Sequence, residues 1–292
     1  MKRVKVAGLQ TRVLHAANKR DVCMRSADRL LRIAGRFEVD IACLPELFLG
    51  SQIAPEPIPG KTTREVGAYA REYGMYIIAN TFIELESGIR HNANILFDRN
   101  GDVLGYQPKM HLWPWEGSKS FIQPPRQGPG VVPGSKFKIF NLDFGKIGTC
   151  VCHDHCFPES ARVLTIMGAE AIFCTTRMPD PFQMVWREIS LVRSIENQVY
   201  VVSVGAHYNY CSTHIVAPLF RGGFMAEAGF GERAITATLE LEWLRKKRED
   251  SPLYYVKTRK DGRKALRDTD SFCFLKDRRP KVYGEVSKTP DR

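Results

Sequence analysis

Short apolar runs alternate with amphipathic stretches along most of this chain of 292 residues. That alternation predicts a layered α/β protein in which helices cover strands. Val4 to Leu9 reads as a strand. Lys19 to Phe37 reads as an amphipathic helix with Val22, Ala27, Leu30, Leu31 and Ile33 on its apolar side. Ile41 to Leu44, short and continuously apolar, predicts a buried strand. Thr62 to Tyr73 predicts a helix capped by Thr62 or Thr63 and stopped at Gly74. Strands are expected at Met75 to Ile83, Ala93 to Asp98 and Val103 to Gln107, the last two joined by a turn at Arg99-Asn100-Gly101-Asp102. Trp113 to Gly134 is rich in Pro and Gly, lacks periodicity, and reads as a loop of functional length lying on a surface.

Beyond that loop, strands are expected at Phe137 to Phe140 and Lys146 to Val151. Pro158 to Gly168 has proline at its start and glycine at its end, the asymmetry of a helix. A buried strand follows at Ala171 to Cys174, then helical spacing of Phe182, Val185, Trp186, Ile189 and Val192. Further strands are expected at Val199 to Val204, His214 to Ala217, Phe224 to Ala226 and Ala234 to Leu239. There is no internal repeat. The simplest organisation is one domain over residues 1–248 with a basic carboxy-terminal extension over 249–292.

Composition adds little to this picture; 43% hydrophobic and 26% charged residues are ordinary for a globular protein. The formal charge of +11 raises the question of nucleic acid. From Arg245 onward the chain has 16 Lys/Arg against 8 Asp/Glu, so this segment carries most of the excess. The two signs alternate there as on a solvated face, and no nucleic-acid-binding motif accompanies them, so no specific nucleic-acid partner is expected. No apolar run approaches the roughly 18 to 20 residues of a membrane span. Eight cysteines with no secretory leader at the start imply reduced thiols and a cytoplasmic location.

The candidate chemistry lies at three predicted strand ends. Cys152 closes an apolar run in Gly148-Thr149-Cys150-Val151-Cys152-His153-Asp154-His155-Cys156-Phe157-Pro158-Glu159, just before a polar turn and a helix. A thiol there, near free backbone N–H groups, can have its pKa lowered and an oxyanion supported beside it. Glu46 follows Leu44-Pro45, and Lys109 follows Tyr106-Gln107-Pro108. Each has a plainer reading: a core cysteine, a capping or salt-bridging carboxylate, a surface lysine with a buried stem. Cys150, Cys152, His153, His155 and Cys156 are also dense in soft metal ligands. Zinc sites usually join a Cys-x2-4-Cys pair to a second pair, whereas here the spacing is Cys-x-Cys with no second pair, so no metal is expected.

Taken together, these segments resemble the nitrilase, or carbon–nitrogen hydrolase, superfamily from Val4 to about Leu244. Asp40 to Glu46 is similar to the family's glutamate segment. Gly105 to Leu112 is similar to its lysine segment, with Pro108 in place of the usual basic residue. Gly148 to Arg162 resembles the nucleophile segment, Arg193 to Asn197 the helix before a buried strand, and Arg278 to Tyr283 a terminal motif. The resemblance implies a four-layer α-β-β-α sandwich, no organic cofactor or metal, and pairing of subunits into a homodimer or larger assembly. It implies Glu46 as general base and acid, Cys152 as nucleophile, and Lys109 with the backbone N–H of His153 as oxyanion donors. Glu116, the sole acidic residue between Lys109 and Asp143, is the candidate for the family's second glutamate.

Cys152-His153-Asp154 is similar to amidase branches, whereas nitrile-acting members carry Trp-Glu after the cysteine. The expected reaction is hydrolysis of a small amide or N-carbamoyl compound through a thioester. A nitrilase, or a silent relative that only binds, remains the alternative. Trp113 and Trp115 either line the pocket or pack the long loop; Arg177 either receives a substrate carboxylate or lies on the surface. Tyr208 and Tyr210 sit on a loop that reaches either the pocket or solvent. Cys211 stands where the family commonly has glycine, a departure expected to reshape the pocket.

Overall fold

Twelve strands assemble into two six-stranded mixed sheets. In the first, β12 (Arg233–Glu240), β1 (Arg3–Gln10), β2 (Ile41–Cys43), β3 (Tyr76–Glu84), β4 (Arg90–Phe97) and β5 (Val103–Pro108) lie side by side in that order. In the second the order is β11 (Phe224–Glu227), β10 (His214–Val216), β9 (Tyr200–Val204), β8 (Ala171–Thr175), β7 (Lys146–Val151) and β6 (Ile139–Asn141). The structure is a computed structural model describing residues 3–113, 116, 130–177, 183–208, 212–218, 223–250, 256–258, 261, 264–266 and 278–288. The middle of the long loop, with Trp115, lies outside the described residues, as do Phe182, Tyr210 and Cys211.

Strand faces decide the layering. Val4, Val6, Ile41 and Ile78 from the first sheet meet Phe173, Val202 and Val204 from the second, so both sheets bury one face against each other. The alternate residues Ala7, Ala42 and Ile77 pack under α1 (Arg20–Arg36) and α2 (Lys61–Tyr73) through Ala27, Leu30, Leu31, Val66 and Ala70. Cys150, Ile172 and Val201 pack under α3 (Pro158–Ile166) and α4 (Gln183–Asn197) through Ala161, Leu164 and Trp186. Each such fully buried aliphatic or aromatic side chain contributes about 1.5–3 kcal/mol. The result is the α-β-β-α sandwich, with two-sided burial accounting for the nearly uninterrupted apolar runs of β2, β8 and β9.

Predicted elements recur with shifts of one to three residues, and two local expectations fail. Helix α2 starts at Lys61, and Gly60 is its N-cap residue; Thr63 Oγ1 accepts the Gly60 N–H at 2.6 Å, so the threonine caps from inside the first turn. Cys152 is not the last strand residue either. It opens a 3-10 turn, Cys152–Cys156, with φ of 48°, a left-handed conformation that ends the strand.

The β4–β5 turn forms as expected. Asp98 Oδ1 accepts the N–H groups of Asn100 and Asp102, and Gly101 takes φ of 86° with its Cα side pressed on the Gly67 carbonyl. One helix was not anticipated: α5 (Leu241–Asp250) runs across residue 248. It buries Leu241 and Leu244, while Arg245 pairs with Glu170 and Arg248 donates to the carbonyls of Ala169 and Gln198. Beyond it a short hairpin joins β13 (Val256–Thr258) to β14 (Lys264–Leu266). Among the described residues no helix is long and apolar enough to cross a membrane.

Candidate active site

Glu46, Lys109 and Cys152 come from three strand ends of two different sheets and meet in one buried spot. Glu46 and Lys109 are each 2% exposed and Cys152 is 5% exposed. Lys109 Nζ donates to Glu46 Oε1 at 2.9 Å and to Glu116 Oε2 at 2.7 Å. The Cys152 thiol lies close enough to the Glu46 carboxylate and the Lys109 ammonium for both charges to act on it, with the Arg177 backbone nearby. Glu116 is anchored in turn by the Trp113 N–H at 2.7 Å. Glu46 is a salt-bridge partner of Lys109, one of its plainer readings, whereas the plainer reading of Lys109 as a surface lysine does not hold.

Burial alone would raise the Glu46 carboxyl pKa. The Lys109 and Arg177 charges and the hydrogen bonds from Lys109 and Cys152 outweigh it and hold the group below its ordinary range. Lys109, which burial alone would discharge, is held well above its ordinary range by Glu116 and Glu46. Cys152 goes the other way from the expected lowered value. Burial and the adjacent Glu46 charge push the thiol up further than Lys109 and the Arg177 N–H pull it down. These directions favour a neutral thiol beside an ionised Glu46 carboxylate, with the Lys109 ammonium bound to that carboxylate. An anion created at sulfur requires its proton to move to Glu46.

Three polar residues that attracted no notice in the sequence hold this arrangement. Asn92 on β4 donates through Nδ2 to Glu46 Oε1 at 2.9 Å and to Glu116 Oε1 at 3.1 Å. Asn94, two residues on and therefore on the same face, ties the sheets together. Its Nδ2 donates to Thr149 and to the Cys150 carbonyl, while its Oδ1 accepts from Thr175 at 2.7 Å and from Asn80 at 2.9 Å. Asn80 Oδ1 then accepts the Leu47 N–H at 2.8 Å, next to Glu46.

Asp154 is fully buried and accepts the N–H groups of Val151 at 2.9 Å, Met110 at 3.0 Å and His111 at 2.7 Å, and His111 Nδ1 at 2.9 Å. It thereby locks the segment after Lys109 onto the turn holding Cys152. Asp154→Ala would orphan these donors and is expected to lower stability by about 3–5 kcal/mol. Denaturant unfolding reads that loss, and a change under about 1 kcal/mol would refute the anchoring role.

The remaining candidates line one side of the same region. His153 packs edge-on against Trp113, ring centroids 4.7 Å apart, and against Phe157 at 5.0 Å. Arg177 Nη1 donates to His15 Nδ1 at 3.2 Å, as does Ser51 Oγ at 3.2 Å. This leaves His15 Nε2 to donate to the Tyr208 hydroxyl at 2.7 Å. Burial, Arg177 and His207 pull the His15 pKa down to about 4, so this ring is neutral near pH 7. Arg177 is half-buried, and its charge helps to lower the Glu46 pKa. His15 was missed because the loop after β1 carries no motif; only the fold sets it beside residue 177.

Comparison with known proteins places this geometry. The chain is 28% identical over 250 residues to "Omega-amidase NIT2-B" of Xenopus laevis, covering 79% of this chain and 87% of that protein. It is 28% identical over 274 residues to an "(R)-stereoselective amidase" of Pseudomonas sp, covering 91% and 89%. Among solved structures, a carbon–nitrogen hydrolase from Helicobacter pylori superposes with a TM-score of 0.75 at 20% identity, covering 98% of this chain and 99% of that one. A variant amidase of Nesterenkonia sp., carrying the acetamide moiety of fluoroacetamide on its active-site cysteine, superposes at 0.67 with 18% identity over 85% and 94%. The sequence profile named "Carbon-nitrogen hydrolase" matches residues 5–249, nearly the whole of the sandwich: this chain belongs to the carbon–nitrogen hydrolase family.

Proposed function

We propose that the protein hydrolyses a small amide or N-carbamoyl compound through a thioester on Cys152. The observation that carries this is the buried contact of Glu46 with both the Lys109 ammonium and the Cys152 thiol. As sulfur attacks the carbonyl carbon, its proton passes to Glu46 and the carbonyl π pair moves to oxygen. Lys109 Nζ and the His153 backbone N–H receive that oxyanion, each such donor contributing about 3–4 kcal/mol. Collapse breaks the C–N bond, and Glu46 returns the proton to the departing nitrogen, releasing ammonia or an amine. Glu46 then takes a proton from water, whose oxygen attacks the thioester and frees the acid and the thiol. Glu116 and Asn92 keep Lys109 and Glu46 in register throughout.

The Cys152-His153-Asp154 order favours amide over nitrile as substrate. Assaying matched amide and nitrile pairs by ammonia release and product identity tests this. Turnover of the nitrile in preference to its amide would overturn the reading, and binding without turnover of either would favour the silent alternative. Arg177, fixed by His15, is placed to meet a substrate carboxylate, with Trp113 and Tyr208 as walls. The amidase relatives, several of them omega-amidases, support an acid-bearing amide. Arg177→Gln is expected to raise KM for such amides by about 10- to 100-fold while changing neutral amides little, the worth of one charged hydrogen-bonded contact. Equal effects on both classes would remove Arg177 from substrate recognition.

The pKa directions fix the shape of the pH profile. Activity requires ionised Glu46, which is depressed, and protonated Lys109 and thiol, which are both raised. The kcat/KM profile is expected to stay flat through neutral pH and fall on the acid side only below the ordinary glutamate value of about 4.3. An acid limb centred near neutrality would contradict Glu46 as the base. We also infer self-association through α3 and α4, where Val163, Ile166, Met167, Val185 and Val192 expose apolar surface; sedimentation of the purified chain as a monomer would exclude it.

A further inference from the structure

Behind the turn that carries Cys152, on the helix side of the second sheet, three soft-ligand side chains converge. Cys150 and Cys174 are register partners on the adjacent parallel strands β7 and β8. The 3-10 turn after β7 brings His155 onto them. One ring nitrogen of His155 and the two Sγ atoms lie within 4.8 Å of one another, and all three residues are at most 1% exposed. His155 Nε2 is hydrogen-bonded to Ser190 Oγ on α4 at 3.0 Å, whereas its Nδ1 is buried with no hydrogen-bond partner.

We propose that Cys150, His155 and Cys174 supply three donors of a buried site for a soft d10 metal ion, of the zinc or copper(I) class, a fourth position being left to water where the ion takes four, and that the ion braces the turn holding Cys152. A buried imidazole nitrogen without a partner is costly unless something accepts its lone pair, and two sulfurs are at hand but make no hydrogen bond to it. Thiolate sulfur with imidazole is the donor set of such ions. Zinc ligands at about 2.0–2.3 Å from the ion stand somewhat under 4 Å apart, so closure asks for a contraction of about 1 Å or less. Charge balances as well. Zinc(II) with two thiolates and a neutral imidazole is neutral, its binding releasing two thiol protons to solvent; copper(I) with one thiolate, one thiol and the imidazole is also neutral and releases one. Ser190 holds the far nitrogen, the orienting contact that metal-binding histidines need. The segment 150–156 alone could not reveal the site, because its third donor arrives from the next strand.

The site is independent of the proposed reaction, since Cys152 is not one of its donors. The experiment is expression of the full chain in medium supplemented with cobalt, zinc or copper, followed by metal analysis and absorption spectroscopy of the purified protein. Cobalt-grown protein is expected to hold about one ion per chain with thiolate-to-cobalt charge-transfer bands and tetrahedral d–d bands. Cys152→Ala should keep both, although it removes activity. Cys174→Ser and His155→Gln should each lower occupancy by about tenfold or more. Occupancy after growth in zinc or copper separates the two ions. Less than about a tenth of an ion per chain in wild-type protein in all three media would overturn the site. So would cobalt bands that vanish in Cys152→Ala or persist in Cys174→Ser. If a ligand variant fails to fold, wild-type and Cys152→Ala protein decide the matter between them.

Discussion

Cys152→Ala is expected to reduce turnover by about 10⁴- to 10⁶-fold while leaving the fold intact. In the proposed mechanism no other group can replace sulfur: Glu46 would already serve as the proton acceptor, and Lys109 is hydrogen-bonded to two carboxylates. What remains after the substitution is oxyanion stabilisation and binding, which by themselves give only a small residue of catalysis. The structural cost is modest. Alanine meets the same left-handed strain at φ of 48° that cysteine already bears, and the space left is a single sulfur atom. Ammonia release under single-turnover conditions reads the chemistry, and thermal unfolding reads the fold. Turnover within about tenfold of wild type in a folded variant would eliminate the thioester.

Lys109→Met is the second large effect, and it concerns stability as much as rate. The ammonium is the shared partner of Glu46 and Glu116, and all three side chains are 2–4% exposed. Removing it strands two carboxylates in a buried site, and loss of one partner of such a set costs about 3–5 kcal/mol. Turnover is expected to fall by about 10²- to 10³-fold or more with the oxyanion donor gone. The stability deficit has a pH signature. In the native protein Glu46 is depressed, so its pairing stabilises the fold above the ordinary glutamate pKa and is lost as pH falls through the lower folded value. In the variant the main depressing partner is gone and only Arg177 and Cys152 still act on Glu46, so the gap between the two proteins should narrow on acidification. Adding Glu116→Gln to Lys109→Met should recover part of the loss. A deficit that is independent of pH and unchanged by Glu116→Gln would mean that lost packing, and not stranded charge, is responsible.

The reach of the sequence varied from residue to residue for physical reasons. Glu46 and Lys109 stood out because each follows a short apolar run, and the end of a buried strand is where a polar side chain can first face a cleft. Asn92 and Asn94 gave no such sign. They lie within β4, and their importance comes from the β3–β4 and β4–β5 pairing and from the second sheet packed on the same face. Asp154 was read only as part of the Cys152-His153-Asp154 order; its anchoring role was hidden because its partners Met110 and His111 are more than forty residues away in sequence. The direction of the Cys152 shift was misread for a related reason. Local position suggests free N–H groups, but the deciding charge, Glu46, belongs to the other sheet.

The order of apolar and polar positions, by itself, determined most of the strands and helices and that helices cover strands, because these depend on short-range periodicity and on which faces must leave water; the four layers and the grouping of Glu46, Lys109 and Cys152 came from the family resemblance. Tertiary structure alone decided the protonation of the thiol, the anchoring of Arg177 by His15, and the meeting of Cys150, His155 and Cys174. Those depend on distances between residues from different strands and layers, and electrostatic and ligand-binding energies change steeply over the few ångströms that only packing sets.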